Sequence, residues 1–184
     1  MRKKIMAQTT FQGPVRSLGG IYQQGPATVV EITSSTALTP VAHAGRIISV
    51  GGSLAAAVTL TLPSINVSAN SVTSGPGQDP NTVNNEGVTY TIWVPTTIST
   101  SSLKIGTDGT DKFVGSVISV DTDSSGAVVG FTAGSSNDFI NLNGTTTGGV
   151  AGTWIQIVAI AANKYMVTGV VLGSGSVATP FADA

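Results

Sequence analysis

The sequence predicts an all-β protein, an antiparallel β-sandwich or barrel with an extended N-terminal arm. Three observations carry that expectation. About ten short segments alternate apolar and polar residues or run briefly apolar, the pattern of half-buried or buried strands. They recur roughly every ten residues, bounded by Gly, Asn, Asp and Ser clusters such as Asp123-Ser124-Ser125-Gly126 and Asn143-Gly144, which is the cadence of hairpins in sandwiches and barrels. No stretch of ten or more residues keeps a convincing helical period.

The first zone, residues 1–24, is a basic arm. Arg2, Lys3, Lys4 and Arg16 are half of the chain's 8 positive side chains, and no acid lies among them. Neither hydrophobic period is present, and Gly13-Pro14, Gly19-Gly20 and Gly25-Pro26 punctuate the segment, so no regular structure of its own is expected. Phe11, Val15, Leu18, Ile21 and Tyr22 are large apolar groups that a wholly solvated tail would not carry. The arm is expected to lie on a surface.

The second zone, residues 25–172, reads as the β domain. Candidate strands are Ala27 to Thr33, Arg46 to Val50, Val58 to Leu62, Thr89 to Val94, Leu103 to Ile105, Phe113 to Val120, Ala127 to Thr132, Asp138 to Leu142, Thr153 to Ile160 and Lys164 to Val171. Residues 63–87, rich in Ser, Asn, Gly and Pro, form a loop longer than the roughly 12–15 residues that compact domains ordinarily leave without structure, and such loops are usually functional or mobile. Residues 173–184, which include Thr179-Pro180-Phe181, read as a polar C-terminal tail.

Composition restricts the function classes. Charged residues are only 9% of the chain, against roughly 25% in ordinary soluble domains, while Ser and Thr make up about a quarter. A surface of small hydroxyls, Asn and Gly repels neighbours weakly, which suits a protein living in contact with other subunits. The net charge of −1 gives no long-range attraction to nucleic acid or an acidic membrane. The absence of Cys removes disulfides, thiolate nucleophiles and cysteine metal sites. Met1-Arg2-Lys3-Lys4 is not followed by the apolar run of a signal peptide, because Gln8, Thr9, Thr10 and Gln12 interrupt it. Nor does any stretch approach the roughly 18 apolar residues of a membrane helix. A soluble protein made in a cytoplasm is expected.

The inventory for chemistry is thin, and no enzyme, metal or cofactor is expected. His43, the one histidine, lacks any motif for a partnering nucleophile and acid. Asp108, Asp111, Asp121 and Asp123 cluster in sequence, but Asp is itself a favoured turn residue. Asp121 to Gly126 has the alternating oxygens of a calcium loop, yet Thr132 stands where the bidentate acid belongs. Gly144 to Gly149 lacks the Lys-Ser/Thr of a phosphate loop. Trp93 lies on the parity of Thr89 and Thr91, opposite Tyr90, Ile92 and Val94, so it either anchors a subunit interface or is covered within the domain. Trp154 and Phe131 are expected in the core.

Val129-Gly130-Phe131-Thr132, Asp138 to Gly149 (DFINLNGTTTGG) and Trp154-Ile155-Gln156-Ile157 resemble small virion structural proteins of tailed bacteriophages, particularly those of marine and cyanobacterial hosts. Ala44-Gly45-Arg46-Ile47-Ile48, Thr59-Leu60-Thr61-Leu62-Pro63 and Thr179-Pro180-Phe181 extend the likeness to about three quarters of the chain, with the 63–87 loop the least matched part. The resemblance implies a capsid decoration, or cement, protein on the outer surface of the virion head. Its partners would be the major capsid protein and further copies of itself, a homotrimer matching the symmetry of the shell. Phe11, Pro14, Val15, Arg16, Leu18 and Tyr22 are the candidate binding residues, with Trp93. Two other classes stay open: a tail or fibre subunit that binds host glycans through the 63–87 loop and exposed aromatics, and a carbohydrate-active enzyme built on the four acids.

Overall fold

The computed structural model describes residues 28–54, 56–68, 84–123 and 126–183. Their elements in chain order are β1 (Val29–Glu31), β2 (Thr36–Ala37), α1 (Pro40–His43), β3 (Ile47–Ser49), β4 (Val58–Thr61), β5 (Thr89–Trp93) and β6 (Leu103–Gly106). Then follow β7 (Lys112–Asp121), β8 (Val128–Thr132), β9 (Phe139–Leu142), β10 (Trp154–Ala161), β11 (Lys164–Gly173) and β12 (Phe181–Ala182). Each of the ten segments expected from alternation contains a strand. The period-two pattern missed β2 and β12, because each is only two residues long.

The strands form two open, mixed sheets, ordered β1-β3-β5-β10-β11-β7-β8 and β12-β9-β6-β4-β2. The all-β class stands, but the expected antiparallel pairing describes only half of the arrangement and neither sheet closes into a barrel. β1, β3 and β5 run parallel, as do β2, β4 and β6, and β11 pairs parallel with β7. The cause is connectivity: the first six strands pass alternately from one sheet to the other, so successive members of one sheet point the same way. A parallel neighbour needs a crossover connection; here the crossover is a strand of the other sheet.

The later chain returns to hairpins. β7 pairs antiparallel with β8, and β10 with β11. Asn163, between β10 and β11, takes φ 59°, a left-handed conformation that Asn tolerates better than most residues. The expected C-terminal tail turns back onto the body: β12 pairs with β9, and Phe181 is buried.

The inward residues of both sheets make one apolar cluster. Leu60, Leu103, Ile105, Ile140 and Leu142 of the five-stranded sheet join Tyr90, Ile92, Phe113, Ile155, Ile157 and Tyr165 of the seven-stranded sheet, all without solvent exposure. Polar ties cross between the layers. The Tyr165 hydroxyl donates to the Pro63 carbonyl at 2.6 Å, and Lys112 Nζ pairs with the buried Asp138 carboxylate at 2.7 Å.

The passage from β9 to β10 depends on a turn in which Asn143 Oδ1 accepts from the backbone N–H groups of Thr145 and Thr147. Gly144 stands there at φ 79°, and a Cβ on it would collide with the Ile98 carbonyl oxygen. Gly144→Ala is expected to cost about 2–3 kcal/mol, combining left-handed strain with the clash. It should appear as a lower urea midpoint at unchanged slope.

Candidate interaction surface

Burial within each strand of the large sheet fixes what faces outward. Tyr90 and Ile92 of β5 are buried, which turns Thr91 and Trp93 out. In β10, burial of Ile155, Ile157 and Ala159 turns out Trp154, Gln156 and Val158. Burial of Tyr165, Val167 and Val171 does the same for Met166, Thr168 and Val170 in β11, and burial of Val117 and Ser119 leaves Ile118 and Val120 outside in β7.

Register then assembles these positions into rows across the strands. One row runs Glu31, Ser49, Trp93, Trp154, Val170, Ile118, Gly130, each paired directly with the next across all seven strands. Its four central side chains are exposed: Trp93 by 36%, Trp154 by 41%, Val170 by 41% and Ile118 by 50%. A polar row, Thr91, Gln156 and Thr168, lies on one side of it. Val158, Met166 and Val114 follow beyond, and Leu172, Val120 and Val128 lie on the other flank. Among the described residues, charge on this face is confined to its margins, at Glu31 and Lys164, since the Lys112 ammonium turns away to the buried Asp138 carboxylate. Directly opposed side chains on neighbouring strands support one another, and the register places the two indoles side by side as one apolar platform.

Trp93 thus stands on the outward parity that its strand predicted. Trp154 is a correction: it was expected in the core, but it faces outward beside Trp93. The signal was present, since Ile155 and Ile157 occupy the parity opposite Trp154; aromatic size alone suggested burial. Phe131 is half-buried against the core. Phe11, Pro14, Val15, Arg16, Leu18 and Tyr22 lie outside the described residues.

The sites considered for chemistry have structural duties. His43 ends the one-turn helix α1, and its Nδ1 accepts from the Thr39 N–H at 2.9 Å. Burial lowers its pKa; the Thr39 backbone contact opposes this, and the positive charge of Arg46 adds to it. Asp121 Oδ1 accepts from the Asp123 N–H, and Asp123 Oδ2 from the Gly175 N–H, which fastens the turn after β7 to the start of the C-terminal segment. Among the described residues no group of three or more His, Asp or Glu is placed to hold a metal ion.

Asp108 and Asp111 secure the base of the long loop. Asp108 Oδ2 accepts from Ser64 Oγ at 2.6 Å, while its Oδ1 accepts from the N–H groups of Thr110 and Asp111. Asp111 Oδ2 accepts from the Ile65 N–H at 2.9 Å. Asn85 joins the two ends of the loop, accepting from the Asn66 N–H and donating to the Ser64 carbonyl, with 3% of its surface exposed. The expected excursion at 63–87 is therefore pinned at both feet; residues 69–83 lie outside the described residues.

No protein-family model, no curated protein and no solved structure matches this chain.

The two loop-base acids respond oppositely to pH. Burial pushes the Asp108 pKa up, but hydrogen bonds from Ser64, Asp111 and Thr110 outweigh it and leave the group below its ordinary 3.8. Asp108 therefore contributes stability that is present above pH 3.8 and is lost as pH falls through the lower folded value. Burial raises the Asp111 pKa, with the Asp108 charge adding to it, so its ionisation opposes folding above the folded value. Urea denaturation from pH 7 to pH 3 should show Asp108→Asn destabilised at pH 7 and converging on the parent as acid protonates Asp108. A deficit independent of pH would mean the charge contributes nothing.

Proposed function

We propose that this chain is a non-enzymatic capsid decoration protein of a tailed phage, binding the outside of the head as a homo-oligomer and stabilising the shell. The observation that carries this reading is the combination of a cationic, aromatic-bearing leader with a sparsely charged β body that presents a broad apolar face. The segments that resemble phage virion proteins fall on β3, β4, β8, β9, β10 and β12 and on their approaches. The likeness therefore spans both sheets and is not confined to one motif.

The leader suits gripping. Burying Phe11 alone contributes roughly 1.5–3 kcal/mol, and linking several arms through an oligomer multiplies weak contacts into avidity. Arg2, Lys3, Lys4 and Arg16 would meet acids on the shell, which chiefly speeds and orients docking. An extended leader can also add a strand to an exposed sheet edge of the shell.

A second reading, a tail or fibre subunit that binds host glycans, draws on the two neighbouring exposed indoles, which offer a flat stacking surface. Antibody labelling of intact virions in negative stain distinguishes the two, since decoration places label over the head and a fibre role places it on the tail.

Deleting residues 1–24 is expected to leave a folded β body that no longer co-sediments with undecorated heads, while the full chain does. Equal occupancy by the truncated protein would remove the arm from the mechanism. Failure of the full chain to bind heads would overturn decoration.

A further inference from the structure

We infer that the outer face of the seven-stranded sheet is the surface through which two copies of this chain pair, face to face about a two-fold axis. The inference rests on the proposed function only in sharing its expectation of self-association, and it is testable without any capsid.

Size is the first argument. Trp93, Trp154, Val170, Ile118, Met166 and Val128 are each more than a third exposed on this face. With large side chains offering roughly 150–250 Å² each, they leave on the order of 500 Å² of apolar surface open. That lies at the upper end of the roughly 300–600 Å² of the largest patch on a typical monomer. With the polar row included, the face approaches the roughly 800 Å² that each partner contributes to a stable complex.

Shape and chemistry select a second copy as the occupant. The central row places its two large side chains on β5 and β10 and its two β-branched ones on β11 and β7. A two-fold axis along the strands, between β10 and β11 in the plane of contact, reverses the strand order. It therefore sets Trp154 against the partner's Val170 and Trp93 against the partner's Ile118, large against small in every case. The neighbouring rows fall into step, with Gln156 over the partner's Thr168 and Val158 over the partner's Met166, so polar meets polar and apolar meets apolar. Packed sheets sit about 10 Å apart with strands aligned within about 30°, and interdigitation of this kind fills such a gap. A three-fold ring, the symmetry expected from a shell, has no axis that pairs these positions large to small. The chain's own leader is a poorer occupant, because its four positive charges would find only Glu31 at the margin of the face.

Both tryptophans of the chain lie in this row, so their fluorescence reports its coverage directly. At micromolar concentration the full-length protein is expected to sediment at twice the 18.4 kDa chain mass, with blue-shifted emission that acrylamide quenches weakly. Trp93→Lys and Ile118→Glu should each weaken pairing at least about 100-fold, with unchanged far-UV circular dichroism. Ile118 is the more exposed of the two, so its replacement tests the face even if the Trp93 variant misfolds. The register itself is tested by placing Trp93→Lys and Ile118→Glu in one chain: each lysine then faces a partner's glutamate, and pairing should return in part. A monomeric or trimeric parent, single variants that pair normally, or a double variant weaker than either single would overturn the proposal. So would a monomeric parent with shielded tryptophans that become exposed when residues 1–24 are removed, since the leader would then be the cover. A monomeric parent whose emission shifts on adding glucose or N-acetylglucosamine oligosaccharides would assign the face to glycans instead. None of these results depends on head binding, which stands or falls by co-sedimentation.

Discussion

Neither sheet of this protein can bury its inner face without the other, and the rest of the structure follows from that constraint. The first six strands alternate between the layers, so each crossing commits residues to both sides of a single apolar cluster before either sheet is complete. Parallel neighbours at β1-β3-β5 and β2-β4-β6 are the geometric consequence, and late hairpins complete the larger sheet. Most of its contacts join residues distant in sequence, a topology in which loop-closure entropy is spent before pairing is rewarded.

Consolidating the core from both layers leaves the outer face of the large sheet with no layer above it among the described residues. On an ordinary soluble domain a solvated sheet face is polar. Here it carries Trp93, Trp154, Val170 and Ile118 in one row and hydroxyls and an amide in the next, with charge only at its edges. The low overall charge of the chain is thus concentrated into a structural feature. The few ionised groups serve elsewhere: Lys112 with Asp138 joins the layers, Asp123 holds the C-terminal segment, and Asp108 with Asp111 fixes the loop base.

Those acids also show what a sequence cluster of carboxylates holds together in the fold. Asp108 and Asp111 are close in the fold, but their oxygens are engaged by Ser64 Oγ and backbone N–H groups. Their opposite pKa shifts follow from local solvation and hydrogen bonding. The turn reading of Asp121 and Asp123 has the same basis, since a short side chain that accepts from a nearby N–H closes a loop wherever it falls.

The sequence by itself determined where ten of the twelve described strands lie and which of their side chains share a face, because period-two alternation is a local property of the pleat. It placed Trp93 on the outward parity and marked the cationic leader, and the parity of Ile155 and Ile157 held the same information for Trp154. Only the tertiary structure decided which strands pair, in which direction and in which sheet, since alternation specifies faces and leaves partners open. That decision turned an expected antiparallel arrangement into two mixed sheets and drew the Phe181 segment back as a strand. It also brought Trp93 and Trp154, sixty-one positions apart by their numbering, into direct register. A platform of two indoles is a long-range object, fixed by hydrogen bonds between strands that have no common local signal.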